Sequence, residues 1–463
     1  MIRAEAVQNE SRSFYRAAGP SDSLPFPGPL VFAAGMTAET APPGPSAPAD
    51  TIASKPERAE EAWLTPGVRG IGAASFLADV GHEIPTALLP SLLTSTLGAP
   101  AAALGLIEGI SDGLAGAARF TGGALADDPK RRRTVAVGGY SATAVLASLT
   151  GAATAAWQVG ALRAGAWAAR GLRVPARNAL LADIVPPTTY GRAYGFERMM
   201  DNLGAIGGPL LALGLVALVD VRTAILLSVI PGLMAALAIV YAIRKAPRAE
   251  ERERRPLRIR VRPVLRGELG AVLVVIAAFE IGNVAATLMI LRASQQLEPA
   301  HGVDDAARLA LGLYIAYNVA ATIASLPAGR ASDRWGRQGP TLVMALGVAV
   351  FGLAYASLSL DATTVLALAP GFLLAGVGIA CVETAESAAV AAFAPAELRG
   401  SAFGLLATVQ SLGNLAASGI AGAVWSTAGP RAAFEYLLVW MLIAAVGFVF
   451  LLRRAGPPEH EQD

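Results

Sequence analysis

The chain of 463 residues contains one cysteine, Cys381, and three histidines, His82, His301 and His460. A single cysteine excludes an intramolecular disulfide framework and any cysteine-cluster metal site. Three scattered histidines give no basis for a metal cage, so neither a metal nor another cofactor is expected. Charge is also scarce: 16% of residues are charged, against about 25% in soluble domains. No nucleophile elbow, His-Glu-x-x-His helix or phosphate-cradling loop is evident, so an enzyme is not expected. Nothing points to nucleic acid. What the chain does have is apolar residues, 54% of the total.

Residues 1–66 differ from the rest. They are rich in Pro, Ala, Gly and Ser, as in Pro42-Pro43-Gly44-Pro45-Ser46, and hold no sustained apolar run. Such a segment cannot bury enough apolar area to offset its ordering entropy, and a disordered cytoplasmic tail is predicted. It lacks the basic start and apolar core of a cleaved signal.

From Gly70 to Leu452 apolar stretches alternate with short charged or Pro/Gly-rich breaks. About 20 apolar residues cross a bilayer as a helix. The predicted spans are 70–93, 100–124, 134–157, 159–184, 194–218, 222–243, 269–291, 307–328, 340–360, 364–391, 402–426 and 433–452. The fourth, fifth and tenth are the weakest by hydropathy because of their charges. Stretches such as Ala271–Ala278 and Leu437–Phe450 are apolar on every face, unlike the amphipathic helices of a soluble bundle. The fold class is therefore all-α membrane protein.

Basic residues near the span ends set orientation. With the N-terminus inside, the cytoplasmic breaks carry Lys130 to Arg133, Arg192, Arg330, Arg334, Arg337, Arg399, Arg453 and Arg454. The outer loops carry only Arg222, Arg292, Arg308 and Arg431. Between Arg244 and Glu268 stand ten basic and four acidic residues, a net charge of +6. That segment reads as a cytoplasmic linker able to meet anionic lipid headgroups. The domains follow: a first half over 67–243, the linker over 244–268, a second half over 269–453 and a cytoplasmic tail over 454–463.

An internal repeat joins the halves. Gly123 to Asp127 matches Gly329 to Asp333, with the aspartates 206 residues apart. Pro187 to Gly195 resembles Pro395 to Gly404, with the glycines 209 apart. Two signals at nearly one offset imply two pseudo-symmetric six-helix halves.

The run Gly329-Arg-Ala-Ser-Asp333-Arg334-Trp-Gly336-Arg337-Gln resembles the signature loop of the major facilitator superfamily, Gly-x-x-x-Asp-Arg-x-Gly-Arg-Lys/Arg. The first-half copy, Gly123 to Asp127 with Arg131, departs from it: Asp128 and Lys130 stand where Arg and Gly are usual. The resemblance implies that Gly123, Asp127, Arg131, Gly329, Asp333, Arg334, Gly336 and Arg337 gate the cytoplasmic face. Gly195, Gly204, Gly208 and Pro209 resemble the antiporter motif of drug-exporting facilitators, although Ala212 and Leu213 replace its last two glycines. Ser75 to Pro90, Gly105 to Gly109, Gly171 to Arg177 and Met200 to Gly204 are similar to a poorly characterised prokaryotic branch of the superfamily. The likeness covers about residues 70–453.

Charges within apolar spans carry the most information. An Asp, Arg or Lys at a helix centre costs about 2.5–3.5 kcal/mol, and a Leu returns about 0.3–0.6. Such residues should face the bundle interior and act in transport. Asp79, His82 and Glu83 share one face of the first span. The second span has Glu108, Asp112 and Arg119. The fourth has Arg163, Arg170 and Arg177 at heptad spacing, plus Arg173. The seventh has Glu280 and Asn283, the tenth Glu383 and Glu386. In facilitators the first, fourth, seventh and tenth helices line the cavity, and here all four are polar at midspan. A carboxyl group in such a crevice can exchange a proton near neutral pH. Asp79 and Glu83 are the expected coupling residues, with Glu383 or Glu280 opposite. Glu197, Arg198 and Asp201 read as pairs at the membrane interface.

The expected function is secondary transport of a small organic solute, coupled to protons and directed outward. The expected setting is a bacterial inner membrane, with both termini cytoplasmic, as a monomer among lipids. Uptake with the same residues is the first alternative, and a non-transporting receptor or scaffold the second.

Overall fold

A computed structural model describes residues 63–246 and 261–454. Among these the chain is helical, with no strand. The helices are α1 (Pro66–Ser91), α2 (Ala101–Ala126), α3 (Pro129–Leu149), α4 (Ala156–Ile184), α5 (Tyr190–Val216), α6 (Val221–Lys245), α7 (Glu268–His301), α8 (Val303–Arg334), α9 (Gly339–Ser359), α10 (Val365–Phe393), α11 (Arg399–Ala428) and α12 (Pro430–Arg454). The expected tail up to residue 62, the linker over 247–260 and the residues after Arg454 lie outside the described residues. The tail boundary moves, because Trp63 is buried and packs edge-on against Phe196 at 6.1 Å.

Local chemistry sets the helix ends. Thr65 and Pro66 open α1, with the Thr65 hydroxyl accepting from Val68 N. Asp128 caps α3 by accepting from Lys130 N at 2.9 Å and Arg131 N at 3.2 Å. That cap explains the departure at the first-half loop: a side-chain turn replaces the glycine turn. The second-half loop keeps its glycine, and Gly336 has φ +60°. Asp220 caps α6 through Arg222 N and Thr223 N.

Among the described residues nine helices, α3 and α5 to α12, are long and apolar enough to cross a membrane by themselves. The three that fall short are α1, α2 and α4: the fourth span is weak as expected, but the fifth and tenth are not, and the first and second take their place. In α5 the charges cluster near the start and leave a long apolar window, whereas in α1, α2 and α4 they sit mid-helix. Leu213, Leu237, Ile323, Leu366 and Val446 are exposed. Side chains of this kind spread over a bundle surface suit hydrocarbon, not water.

The halves are α1–α6 and α7–α12, and their packing repeats. In the first, α2 packs on α4 and α1 on α5; in the second, α8 packs on α10 and α7 on α11. Between halves, α5 meets α8 and α2 meets α11, again as a symmetric pair. These crossings are tightest at the end carrying the α2–α3 and α8–α9 turns. A β-carbon on Gly123 would run into the backbone of Gly400 and Gly404, and one on Gly191 into that of Gly329. At the opposite end Gly105, Gly109 and Gly113 of α2, and Gly419 and Gly422 of α11, have open space where a β-carbon would stand. The helices meet at one end and splay at the other.

The seventh span differs most from expectation. It runs on to His301 and is broken over residues 283–285. Arg292, assigned to an outer loop, is instead buried in α7 and donates to Leu358 O at 3.1 Å.

Candidate functional site

A cavity of about 1190 Å³ lies between the halves, lined by residues from both. Its walls come mainly from α2, α4 and α11, with single acidic residues from α1 (Asp79) and α10 (Glu383). The expectation that α1, α4, α7 and α10 would dominate is thus too narrow. The helices α2 and α11 diverge above their contact and present their splayed faces to the space.

Of the residues singled out by sequence, Asp79, Asp112, Arg119, Arg170, Arg173, Arg177, Glu280, Asn283 and Glu383 line the cavity. His82, Glu83, Glu108, Arg163 and Glu386 stand outside its lining. Glu108 and Arg163 form a two-pronged pair, with Arg163 Nη2 at 2.8 Å from both carboxylate oxygens. The same guanidinium lies 3.9 Å from the Trp167 ring centroid. Trp167 stacks on His82 at 4.3 Å and donates from Nε1 to Asp112 Oδ1 at 2.8 Å. Glu386 is buried in the second half and accepts from Gln410. Glu83 lies between α1 and α5, where Gly208 leaves room for its β-carbon.

Glu83 still connects to the cavity. Arg170 Nη1 donates to His82 Nε2 at 2.6 Å, and its Nη2 to Asp79 Oδ1 at 3.4 Å. Arginine can only donate, so His82 Nε2 is the acceptor and the ring proton sits on Nδ1. That nitrogen faces Glu83 Oε1 at 3.5 Å and Thr86 Oγ1 at 3.4 Å. A chain Glu83–His82–Arg170–Asp79 results.

The α5 charges are not interfacial. Glu197 is buried, accepting from Ser75 Oγ at 2.8 Å and pairing with Arg177 at 2.7 Å. Asp201 and Arg198 line the cavity. Arg198 bridges the halves, 3.2 Å from Asp201 and 3.3 Å from Glu383 of α10. Asp201 shares the cavity wall with Asp79. Sequence spacing placed these residues near a helix start, but α5 begins four residues earlier than predicted. The small Gly204 then lets α5 approach α1 at Phe76 and Asp79.

The break in α7 also faces the cavity. Its freed backbone groups are satisfied by side chains: Val284 N donates to Tyr355 Oη at 3.1 Å, Ala285 N to Ser418 Oγ at 3.1 Å, and Asn414 Nδ2 donates to Asn283 O at 3.0 Å. Unwound backbone at membrane depth persists only where protein or a wet cavity covers it. The Gly282-Asn283 pair was the available sequence signal.

The closed end holds the loop residues. Asp333 accepts from Gly191 N at 2.6 Å and Arg192 N at 2.9 Å, and pairs with Arg192 Nε at 3.0 Å. Its carboxylate therefore caps α5 from the other half, where a helix N-terminus favours negative charge. Asp127 does the same to α11, accepting from Ser401 N at 2.8 Å. Residues 192 and 401 stand at the 209-residue offset of the repeat, so the two contacts are related by the pseudo-symmetry. Arg399 adds a third tie, donating to Tyr190 Oη at 2.6 Å and lying 3.5 Å from Asp183. Sequence reasoning missed Asp183, Tyr190 and Ser401. Arg131 pairs weakly with Asp128 at 3.8 Å, Arg334 is exposed, and Arg337 pairs with Glu268 at 2.6 Å on the surface.

Gly109-Ile-Ser111-Asp-Gly113 has the letter spacing of a nucleophile elbow, yet it lies inside α2. Ser111 donates to Ile107 O at 2.6 Å in the helix. An elbow needs a strand-to-helix turn, so the match carries no chemistry. Among the described residues no three metal-ligating side chains converge.

The profile of the Major Facilitator Superfamily matches residues 71–314 and 299–463. An uncharacterised MFS-type transporter of Methanocaldococcus jannaschii is 27% identical over 401 residues, covering 84% of this chain and 95% of that one. Among solved structures, a bacterial homologue of the iron transporter ferroportin in an outward-facing state superposes with a TM-score of 0.63 at 15% identity, covering 84% of this chain and 100% of that one. The proton:xylose symporter XylE gives 0.61 at 14%, covering 84% and 96%. Twelve helices in two matching halves, a charged cavity between them and this match over nearly all of the described chain lead to one conclusion: the chain belongs to the Major Facilitator Superfamily of multi-pass membrane transporters.

Proposed function

We propose that the protein exports a small organic solute in exchange for protons by alternating access, as a monomer in a bacterial inner membrane with both termini cytoplasmic. The observation that carries the coupling is the presence of two acids, Asp79 and Asp201, in one cavity wall, with Asp79 3.4 Å from Arg170 and Asp201 between Arg177 and Arg198. A proton taken up by one acid of such a pair eases the repulsion between them, and its release restores that repulsion. Arg170, 3.4 Å from Asp79, can then favour the charged form once the pair separates. Protons arrive at a group that solute also reaches, which is what exchange requires. Glu280, buried and facing the cavity from the second half, is the partner acid. The α5 glycines that resemble the antiporter motif support the outward direction, since Gly204 and Gly208 set α5 against the α1 acids. The basic segment over 244–268 serves as a cytoplasmic linker, and Asp127 and Asp333 lock the cytoplasmic face. The cavity then opens outward.

The test uses inverted vesicles carrying a pH-sensitive dye and a panel of organic solutes. Wild-type protein should release protons on solute addition. Asp79→Asn and Asp201→Asn should each abolish this while inserting normally. Glu83→Gln should slow it, because Glu83 reaches the cavity only through His82 and Arg170. Full proton movement in both aspartate variants would remove the coupling assignment.

A further inference from the structure

Five arginines line the cavity: Arg119, Arg170, Arg173, Arg177 and Arg198. Three are matched by carboxylates. Arg170 pairs with Asp79, Arg177 with Glu197 and Asp201, and Arg198 with Asp201 and Glu383. Among the described residues Arg119 and Arg173 have no carboxylate at ion-pair distance. Arg173 is the sharper case. It is 3% exposed, its Nε has no hydrogen-bond partner, and its guanidinium lies 4.0 Å from the Tyr140 ring centroid. Arg119 gives Nη1 to the Ser411 hydroxyl and to Ala407 O at 3.4 Å, and its Nε is likewise buried without a partner.

We propose that Arg119 and Arg173 form an anion-recognition site, and that the transported solute carries a carboxylate or phosphate group. This rests on the reading that the cavity holds solute. The reasoning is one of charge bookkeeping at low dielectric. A buried charge without a partner is costly. A carboxylic acid can escape that cost by taking a proton; a guanidinium cannot. The cavity acids Asp112 and Glu280 take hydrogen bonds from Trp167 Nε1 and Asn283 Nδ2 and stand at ion-pair distance of neither the Arg119 nor the Arg173 guanidinium. Arg119 and Arg173 stay charged, and an incoming anion supplies what they lack. Tyr140 covers a face of Arg173 and leaves the N–H edge for a planar or tetrahedral oxyanion. Phe120, Val174, Leu412 and Leu415 offer apolar surface for the rest of an organic molecule. Arg119 also spans the α2–α11 crossing through Ser411, so an anion taking that guanidinium acts on the contact between halves.

The experiment is thermal unfolding of the purified protein in detergent, with no gradient, against four probes of one shape: benzoate, phenyl phosphate, benzamide and benzylammonium. At least one anion should raise the unfolding midpoint at tens of millimolar, and benzamide and benzylammonium should not. Which anion acts tells carboxylate from phosphate. Arg119→Gln and Arg173→Gln should each weaken the response roughly tenfold or more. Arg173→Met should leave the unliganded midpoint unchanged or higher, because it removes an unpaired buried charge. If Arg173→Gln fails to fold, Arg173→Lys gives the reading, since it keeps the charge but loses the fork. No anion response, equal stabilisation by benzylammonium, or undiminished anion binding in the variants would overturn the site. Anion binding without proton movement would sink only the coupling proposal; proton movement without anion binding would sink only this one.

Discussion

Replacing Asp333 by alanine should release the closed end of the transporter. The carboxylate accepts two backbone N–H bonds, from Gly191 at 2.6 Å and Arg192 at 2.9 Å, and holds the Arg192 guanidinium at 3.0 Å. Loss of a helix cap costs about 1 kcal/mol, and loss of a hydrogen bond to a charged group about 1.5–3. Water replaces part of this once the halves separate. A net loss of about 2–3 kcal/mol is reasonable, and it falls on the closed state alone because the bonds cross between halves. At 1.4 kcal/mol per tenfold, the closed-to-open ratio at this end should drop roughly 30- to 150-fold. Spin labels at the exposed positions Thr188 and Arg334, one in each half, report that opening as a longer distance population. Cys381 is buried, so it should not compete for label. The reasoning fails if Asp333→Ala lowers protein yield while the distance distribution of the folded fraction stays as in wild type.

Gly123→Val should act in the opposite sense to a lost cap but with the same result. The new side chain would meet Gly400 and Gly404 backbone, the closed end could not seat, and transport should fall well below wild type at normal membrane yield. Glu108→Ala should leave the buried Arg163 without its carboxylate and lower the unfolding midpoint. The penalty is about 1–3 kcal/mol, below the full value for a buried pair because Glu108 is partly exposed. Glu108→Leu combined with Arg163→Met should recover most of that stability, and thermal unfolding of the three proteins checks it.

Much of this architecture follows from local chemistry. Twelve spans, two repeats and the Asp127 and Asp333 loops are visible in sequence because hydropathy, charge bias and turn residues are short-range properties. Hydropathy also identifies which charges must turn inward, since lipid offers them no partner. It does not say which partner they find. Asp79, His82 and Glu83 share a helix face in sequence, yet Asp79 reaches the cavity and Glu83 packs beneath Gly208. Helical periodicity fixes angle around an axis, while neighbouring helices fix what stands at that angle.

The chain's own order of residues determined that it is a helical membrane bundle of two matched halves, because burial of apolar length and pairing of backbone groups within each helix are decided span by span. Tertiary structure alone decided that Arg198 ties Asp201 to Glu383, that α7 breaks at Asn283, and that Arg119 and Arg173 are left without acids. Each of these depends on side chains tens to hundreds of residues apart meeting at a few ångströms, and no local pattern encodes that distance.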